Sequence, residues 1–155
     1  MGINSAPKIG FTCGTFDLVH AGHVIHFEEC KKYCDYLIVG IQTDPSIDRP
    51  EKNKPVMSLE ERYRILRANK WVDAIIVYER EKELIDLEKW LPVDFRFRGI
   101  EHKGEKHYFT RGKFIDIVGD NSIHSSSLRR KIYANSISDR RIGIYRFSFG
   151  KKIRK

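Results

Sequence analysis

The segment at residues 36–41, Tyr-Leu-Ile-Val-Gly-Ile, constrains the fold of this chain more than any other. An apolar run without polar alternation is typical of a strand buried on both faces of a parallel sheet. Strand-like and helix-like segments alternate on both sides of it, which predicts an α/β fold with a doubly wound, parallel five-stranded sheet of Rossmann-like type. The predicted strands cover residues 8–13, 36–41, 74–78, 94–98 and 113–118, and the predicted helices cover 23–33, a segment opened by Ser58, 81–91 and 125–133.

Length and composition fit a single globular domain. The chain has 155 residues, of which 41% are hydrophobic and 32% charged. No apolar run approaches the roughly 20 residues that a membrane span needs, and residues 1–7 lack the apolar core of a signal peptide. We therefore expect no membrane span and a cytoplasmic location. The three cysteines do not form a disulfide framework, and without a second, distant ligand pair we expect Cys30 and Cys34 to be core residues rather than metal ligands.

Positive charge is concentrated at the C-terminus. The net charge is +8, and residues 127–155 hold ten Lys or Arg residues against one Asp. We divide the chain into a domain at 1–135 and a basic C-terminal tail at 136–155. Such a tail is most simply a solvated end, but it could also contact nucleic acid, an acidic partner or an anionic membrane surface.

Residues 14–23 read Gly-Thr-Phe-Asp-Leu-Val-His-Ala-Gly-His and lie between the first predicted strand and the first predicted helix. The first turn of a helix has unpaired N–H groups and a positive dipole end, which favour anions. Glycine lets the backbone approach a phosphate, and the rings of His20 and His23 add hydrogen-bond donors. The segment therefore predicts a phosphate-binding turn.

This pattern, Gly-Thr-Phe-Asp-x-x-His-x-Gly-His, resembles the signature of the nucleotidyltransferase superfamily that includes the cytidylyltransferases. The likeness is greatest to the glycerol-3-phosphate cytidylyltransferases and extends from about residue 9 to about residue 133. Further landmarks are Thr43-Asp44, the segment from Ser58 to Arg62, and Trp71-Val72-Asp73. The resemblance implies transfer of a cytidylyl group from CTP to a small phosphorylated alcohol, first glycerol 3-phosphate, with release of pyrophosphate. It also implies Mg²⁺ bound with the triphosphate, and a homodimer.

The resemblance assigns roles to individual residues. His20 and His23 would stabilise charge on the α-phosphate, and Lys54 would act with them on the triphosphate. The residues expected to bind the nucleotide are Gly14, Thr15, Phe16, Asp17, Gly22, Lys52, Gly99, Glu101, Ser125, Ser126 and Arg129. Asp44 and Lys70 are expected to bind the acceptor substrate.

Some positions depart from the family pattern. The family's segment Arg-Thr-Glu-Gly-Ile-Ser-Thr-Thr aligns with Gly119 at the arginine, Asn121 at the glutamate and His124 at the serine. Lys70 replaces an arginine, which keeps the charge but loses the bidentate fork. Two other functions stay open: an adenylyltransferase that uses ATP on a flavin, pantetheine or heptose phosphate, and a non-catalytic module that binds nucleic acid or a partner through the tail.

Overall fold

A computed structural model describes residues 6–100, 111–118 and 124–138, and strands and helices alternate as predicted from residue 9 to residue 99. The strands are β1 (Ile9–Gly14), β2 (Tyr36–Gln42), β3 (Ala74–Tyr78), β4 (Phe95–Gly99) and β5 (Lys113–Ile117). The helices are α1 (Ala21–Lys31), α2 (Leu59–Arg67), α3 (Glu81–Glu88) and α4 (Ser125–Ser138), with a short 3-10 helix at Pro45–Ile47.

The five strands form one parallel sheet in the order β3-β2-β1-β4-β5. The chain therefore first builds the sheet outward from β1 to β3, and then returns to the other side of β1 to add β4 and β5. This reversal confirms the predicted Rossmann-like α/β fold. In such sheets ligands bind beyond the carboxyl ends of the strands where the order reverses, which here is the edge where β1 ends at Gly14 and β4 ends at Gly99.

Each face of the sheet has its own hydrophobic core. On one face, Leu37 and Val39 of β2 pack with Phe27 of α1 and Leu66 of α2, and all four are fully buried. On the other face, the core contains Phe11, Ile38, Tyr78, Leu84 of α3 and Val93. The alternation along β2 explains its unbroken apolar sequence, because successive side chains enter opposite cores. Each large apolar side chain buried in this way contributes roughly 2 kcal/mol of transfer free energy.

Cys30 and Cys34 belong to the first of these cores, as predicted. Cys30 is fully buried and Cys34 is 5% exposed. Burial raises the pKa of the Cys34 thiol to about 11, so this side chain stays neutral. A methyl group at Gly10 would lie 2.6 Å from the Cys34 sulfur and 2.4 Å from the Phe97 ring, so only glycine fits at this point of β1.

The helix boundaries agree with the predictions in part. Helix α2 begins as predicted, because Ser58 and Glu61 form a reciprocal capping box. Helix α3 ends at Glu88, three residues before the predicted end, in agreement with the restriction that Pro92 places on the residue before it. Helix α4 continues past the predicted domain boundary at 135, and residues 139–155 of the tail lie outside the described residues.

Arg96 is buried although its strand alternates phenylalanine with arginine. The guanidinium pairs with the carboxylate of Glu88 on α3, and both side chains are 3% exposed. Its Nε donates to the carbonyl of Arg111 at 2.5 Å, just before β5. Burial raises the pKa of Glu88 to about 7, even though the neighbouring guanidinium opposes the shift. This pair therefore joins α3, β4 and the start of β5 on the face away from α1.

Among the described residues, no helix is long and apolar enough to cross a membrane.

Candidate active site

The turn between β1 and α1 is held in an unusual backbone conformation. Phe16 and Leu18 both have φ of 49°, in the left-handed region that non-glycine residues seldom adopt. Phe16 is 7% exposed. Its ring packs edge-on against His23 and at a tilt against Phe27, with centroids 5.4 and 5.3 Å apart. Burial of this ring opposes the local strain, which is of the order of 1–3 kcal/mol for each such residue. Strain of this kind is common where a backbone is shaped for a ligand.

His20 and His23 cap the first turn of α1. The His20 Nδ1 accepts the N–H of Gly22 at 3.1 Å, and the His23 Nδ1 accepts the N–H of His20 at 3.4 Å. The two rings stack, with centroids 4.0 Å apart and planes inclined by 24°. This is a capping box in which both side chains are imidazoles. It also explains why α1 begins at Ala21, two residues before the predicted start.

The capping bonds determine where each imidazole carries its proton. A nitrogen that accepts a hydrogen bond has no proton, so the proton of each neutral ring lies on Nε2. Burial, together with His20 and His26, lowers the pKa of His23 to about 3. Burial, followed by the proximity of His124, also lowers the pKa of His20. Both rings are therefore neutral at pH 7, and each Nε2–H remains a donor that the capping box does not use.

Asp17 joins three parts of the site through its own hydrogen bonds. Its carboxylate accepts the N–H groups of Val56 and Met57, both at 3.0 Å, and pairs with the guanidinium of Arg129 on α4. Its carbonyl accepts the Ser125 hydroxyl at 2.8 Å. Burial alone would raise the pKa of Asp17, but the two N–H groups and Arg129 outweigh it and lower the pKa. The Asp17 side chain is therefore occupied by protein groups, although the sequence predicted it among the nucleotide-binding residues.

Arg62 binds the backbone of the same turn. It was not among the predicted site residues. Its guanidinium donates to the carbonyls of Thr15, Gln42 and Thr43 at 2.7–2.8 Å, and to that of Met57 at 3.2 Å. The side chain is 1% exposed, and burial lowers its pKa. It is a buried cation that binds backbone dipoles at the ends of β1 and β2. The sequence signal for its burial was its spacing. Arg62 lies three residues after Leu59 and four before Leu66, which places it on the buried side of α2.

The loop between β2 and α2 carries Lys52 and Lys54, both predicted site residues, and is called the lysine loop below. Lys52 and Lys54 are exposed. The Lys54 carbonyl accepts a hydrogen bond from Arg129 at 3.1 Å, and the end of the loop is attached to Asp17 through Val56 and Met57. The loop is therefore fixed to the β1–α1 turn and to α4, while the lysine side chains remain available to a ligand.

The other predicted nucleotide-binding residues lie at two places in the fold, and Asp44 lies at a third. Gly14, Thr15, Gly22 and Gly99 lie at the carboxyl edge of the sheet, and Ser125, Ser126 and Arg129 lie in the first turns of α4. Asp44 is at the end of β2, where its carboxylate accepts the Ser46 hydroxyl and N–H, and these bonds lower its pKa. Glu101 lies outside the described residues.

Lys70 is not near the other predicted site residues. It lies before β3, at the edge of the sheet where strands begin, and its ammonium group is 4.4 Å from the centre of the Trp71 ring. The β1–α1 turn lies at the opposite edge, because β1 and β3 are both parallel to β2. Its assignment to the acceptor substrate stays a prediction that the geometry of this single chain does not support.

Comparison with known proteins agrees with this geometry. Residues 11–112 match the family model described as Cytidylyltransferase-like. The chain belongs to this family. The match covers the strained turn, the two histidines, the lysine loop and Arg62, and it confirms the resemblance seen in the signature at residues 14–23.

Several curated relatives of this family member are larger proteins. It is 31% identical over 119 residues to Bifunctional protein HldE of Granulibacter bethesdensis, with 76% of this chain and 22% of the relative covered. It is 32% identical over 123 residues to Bifunctional protein HldE of Campylobacter fetus subsp. fetus, with 76% and 27% covered. The chain therefore spans about a quarter of the length of these relatives.

A solved structure shows the same fold. The lipopolysaccharide core biosynthesis protein from Thermoplasma volcanium GSS1 superposes with a TM-score of 0.59 over 75% of this chain and 100% of that chain. At 20% sequence identity this similarity establishes the fold alone.

Proposed function

We propose that this nucleotidyltransferase domain transfers a cytidylyl group from CTP to a small phosphorylated alcohol, with glycerol 3-phosphate as the first candidate, and releases pyrophosphate. The observation that carries the proposal is the histidine pair at the start of α1. Both Nδ1 atoms accept backbone N–H groups, so both Nε2–H groups can donate to an anion at the helix N-terminus. Neutral donors fixed in this way suit a site where negative charge develops during the reaction.

The reaction needs no strong base. An oxygen of the acceptor's phosphate, already anionic at neutral pH, attacks the α-phosphorus of CTP. The new P–O bond forms as the bond between the α-phosphorus and the bridging oxygen breaks, and pyrophosphate leaves with that electron pair. Negative charge on the α-phosphate oxygens is stabilised by His20, His23 and the N-terminus of α1. These residues therefore act through positioning and charge stabilisation rather than proton abstraction.

The lysine loop supplies positive charge for the outer phosphates. Lys52 and Lys54 are exposed on a loop whose end is tied to Asp17, and an ammonium group is a compact charge suited to β- and γ-phosphates. During the reaction these phosphates become the leaving pyrophosphate. We therefore assign the two lysines to binding the triphosphate and stabilising the leaving group.

Mg²⁺ fits this site as an ion that arrives with the triphosphate. The Asp17 carboxylate at the turn is already bonded to Val56, Met57 and Arg129. Among the described residues, no cluster of three or more His, Cys, Asp or Glu side chains is placed to hold a metal. Phosphate oxygens and water are the usual ligands of Mg²⁺ in such sites. When bound, the ion neutralises charge on the phosphates.

A second candidate is adenylyl transfer from ATP. Ser125, Ser126 and Ser127 open α4, and a serine-rich last helix also resembles the adenylyltransferases of the superfamily. The histidine pair serves either reaction equally, because it faces the phosphates rather than the base. The two functions therefore differ in the nucleotide and acceptor, not in the chemistry at the α-phosphate.

The decisive test measures pyrophosphate release from CTP, ATP, GTP and UTP, each with Mg²⁺ and a panel of phosphorylated alcohols and sugar phosphates. Turnover with CTP and glycerol 3-phosphate supports the first proposal, and turnover restricted to ATP supports the second. His20→Asn serves as the matched control for contaminating activity, because it retains a helix-capping side chain. No turnover with any pair, despite intact folding, would reject catalysis by this chain.

A further inference from the structure

The lysine loop is bound to the protein in its first half as well as at its end. Its end is attached to the Asp17 carboxylate. Its first half meets the beginning of α3 through two contacts that run in opposite directions. The Asp48 carboxylate accepts the N–H of Glu81, the first residue of α3, at 2.8 Å, and the Glu81 carboxylate pairs with the Arg49 guanidinium at 3.1 Å. The loop and the helix therefore hold each other reciprocally.

Arg49 also connects the loop to the interior of the sheet. Its guanidinium donates to the side-chain oxygen of Gln42 at 3.3 Å, and Gln42, the last residue of β2, is 1% exposed. The Gln42 amide in turn donates to the carbonyl of Glu79 at 3.2 Å, just after β3. A guanidinium can serve a buried amide and a carboxylate at once, because its donors point in several fixed directions. Arg49 is therefore fixed by β2 and α3 together.

The backbone of Arg49 carries this attachment to Lys52. The Arg49 carbonyl accepts the N–H of Lys52 at 2.9 Å, and the Arg49 N–H donates to the carbonyl of Pro45 at 3.0 Å. Residues 52–54 lie between this anchor and the one at Asp17, and all three are exposed. The two anchors therefore limit the region that the lysine ammonium groups can reach.

We propose that Arg49 is a positioning residue for nucleotide binding, which holds Lys52 for the triphosphate by anchoring the lysine loop to α3 and β2. The proposal rests on the function proposed above, and it gives a role to a charge cluster outside the signature at residues 14–23. A loop that is already ordered loses less conformational entropy when a ligand binds, which favours affinity. Arg49 acts through Lys52 and does not itself contact the nucleotide, so its effect depends on the lysine.

The test is a double-mutant cycle on the dissociation constants of Mg-CTP and Mg-ATP, measured by calorimetry. Its members are the wild type, Arg49→Met, Lys52→Ala and the protein with both changes. Glu81→Gln removes the ion pair from the α3 side and leaves the backbone N–H of residue 81 in place. Lys89→Ala controls for the loss of a salt bridge to α3, because Lys89 pairs with Asp86 at 2.6 Å near the other end of that helix. Thermal unfolding of each variant monitors the fold.

We expect Lys52→Ala to weaken nucleotide binding about tenfold, the effect of one charge-assisted hydrogen bond. Arg49→Met should weaken binding about fivefold in the wild-type background but less than about twofold when Lys52 is already alanine, because the lysine that it positions is gone. Glu81→Gln should show a smaller loss in the same direction, and Lys89→Ala should match the wild type. Wild-type affinity in Arg49→Met, or losses that simply add in the double variant, would overturn this inference alone. Failure of the wild type to bind either nucleotide would instead overturn the proposed function.

Discussion

The guanidinium of Arg129 on α4 pairs with the carboxylate of Asp17, which precedes it by 112 positions in the chain. The same carboxylate accepts the N–H groups of Val56 and Met57 at the end of the lysine loop. A single side chain therefore joins the β1–α1 turn, the lysine loop and α4. We infer that Asp17 positions the residues that we propose to bind the nucleotide.

Replacement of Asp17 by alanine should destabilise the protein and the site together. Two backbone N–H groups and a guanidinium would lose their acceptor, so we expect the free energy of unfolding to fall by about 3 kcal/mol. The kcat/KM should also fall, because the lysine loop and α4 lose a common anchor. Urea unfolding and pyrophosphate release measure the two effects. Asp17→Asn keeps an oxygen for the N–H groups and should be intermediate; wild-type stability in Asp17→Ala would contradict this account.

Replacement of His20 separates helix capping from phosphate binding. His20→Asn retains a side-chain oxygen that can cap α1, whereas His20→Ala does not. We expect about 1 kcal/mol lower stability in His20→Ala and only a few tenths in His20→Asn. Both should lose about 10²–10³-fold in kcat, because each lacks the Nε2 donor. Thermal unfolding and steady-state kinetics test this; near-normal turnover in His20→Asn would show that the ring is not required.

The alternation of strands and helices was predictable from sequence because apolar periodicity determines which side chains are buried. Ala74–Tyr78 coincides with its prediction, and β2 differs from its prediction by one residue. The start of α1 was predicted two residues late, because histidine is not a usual N-cap and its capping bonds appear only when His20 and His23 are folded together.

The residues of the site were predictable only where a contiguous motif names them. The turn at residues 14–23 follows from sequence, whereas the bonds of Asp17 to residues 39, 40 and 112 positions away depend on tertiary structure. For the same reason Arg62 was not assigned to the site. Lys70 is the opposite case. A local sequence match implied a role in binding the acceptor substrate, but Lys70 lies at the edge of the sheet away from the β1–α1 turn. The homodimer and the partner of the tail stay predictions.

Protonation of His23 and Asp17 should reduce stability in two ranges of pH that overlap only between about 3 and about 3.9. Both groups have lowered pKa values in the folded protein, so the unfolded chain binds more protons and stability rises with pH. The range for His23 extends from its ordinary value of 6.5 down to about 3, and that for Asp17 lies below about 3.9. His23→Gln should flatten the loss of stability between pH 6.5 and 4, and Asp17→Asn should alter it only below about pH 4. Denaturant unfolding at several pH values measures how the free energy of unfolding changes with pH in each variant. A wild-type dependence in His23→Gln would disprove the lowered pKa of His23.

Replacement of Arg62 should be the most damaging change outside the hydrophobic core. Its guanidinium satisfies the carbonyls of Thr15, Gln42 and Thr43 in a place that water does not reach. Arg62→Met keeps the volume but leaves these carbonyls without donors, which should cost about 3–5 kcal/mol. Because Thr15 belongs to the turn that we propose to bind the triphosphate, kcat/KM should fall even at temperatures where the variant is folded.

The matched control for this change is Arg64→Ala on the same helix. Arg64 pairs with Glu60 at 2.6 Å, but the two side chains are 77% and 68% exposed, and such surface pairs contribute about 0–1 kcal/mol. Its removal should therefore leave both the free energy of unfolding and kcat/KM close to wild type. Arg62→Lys, which retains a charge but cannot reach all the carbonyls, should lose activity while remaining more stable than Arg62→Met. Equal losses in the Arg62→Met and Arg64→Ala proteins would show that the buried guanidinium does not support the turn.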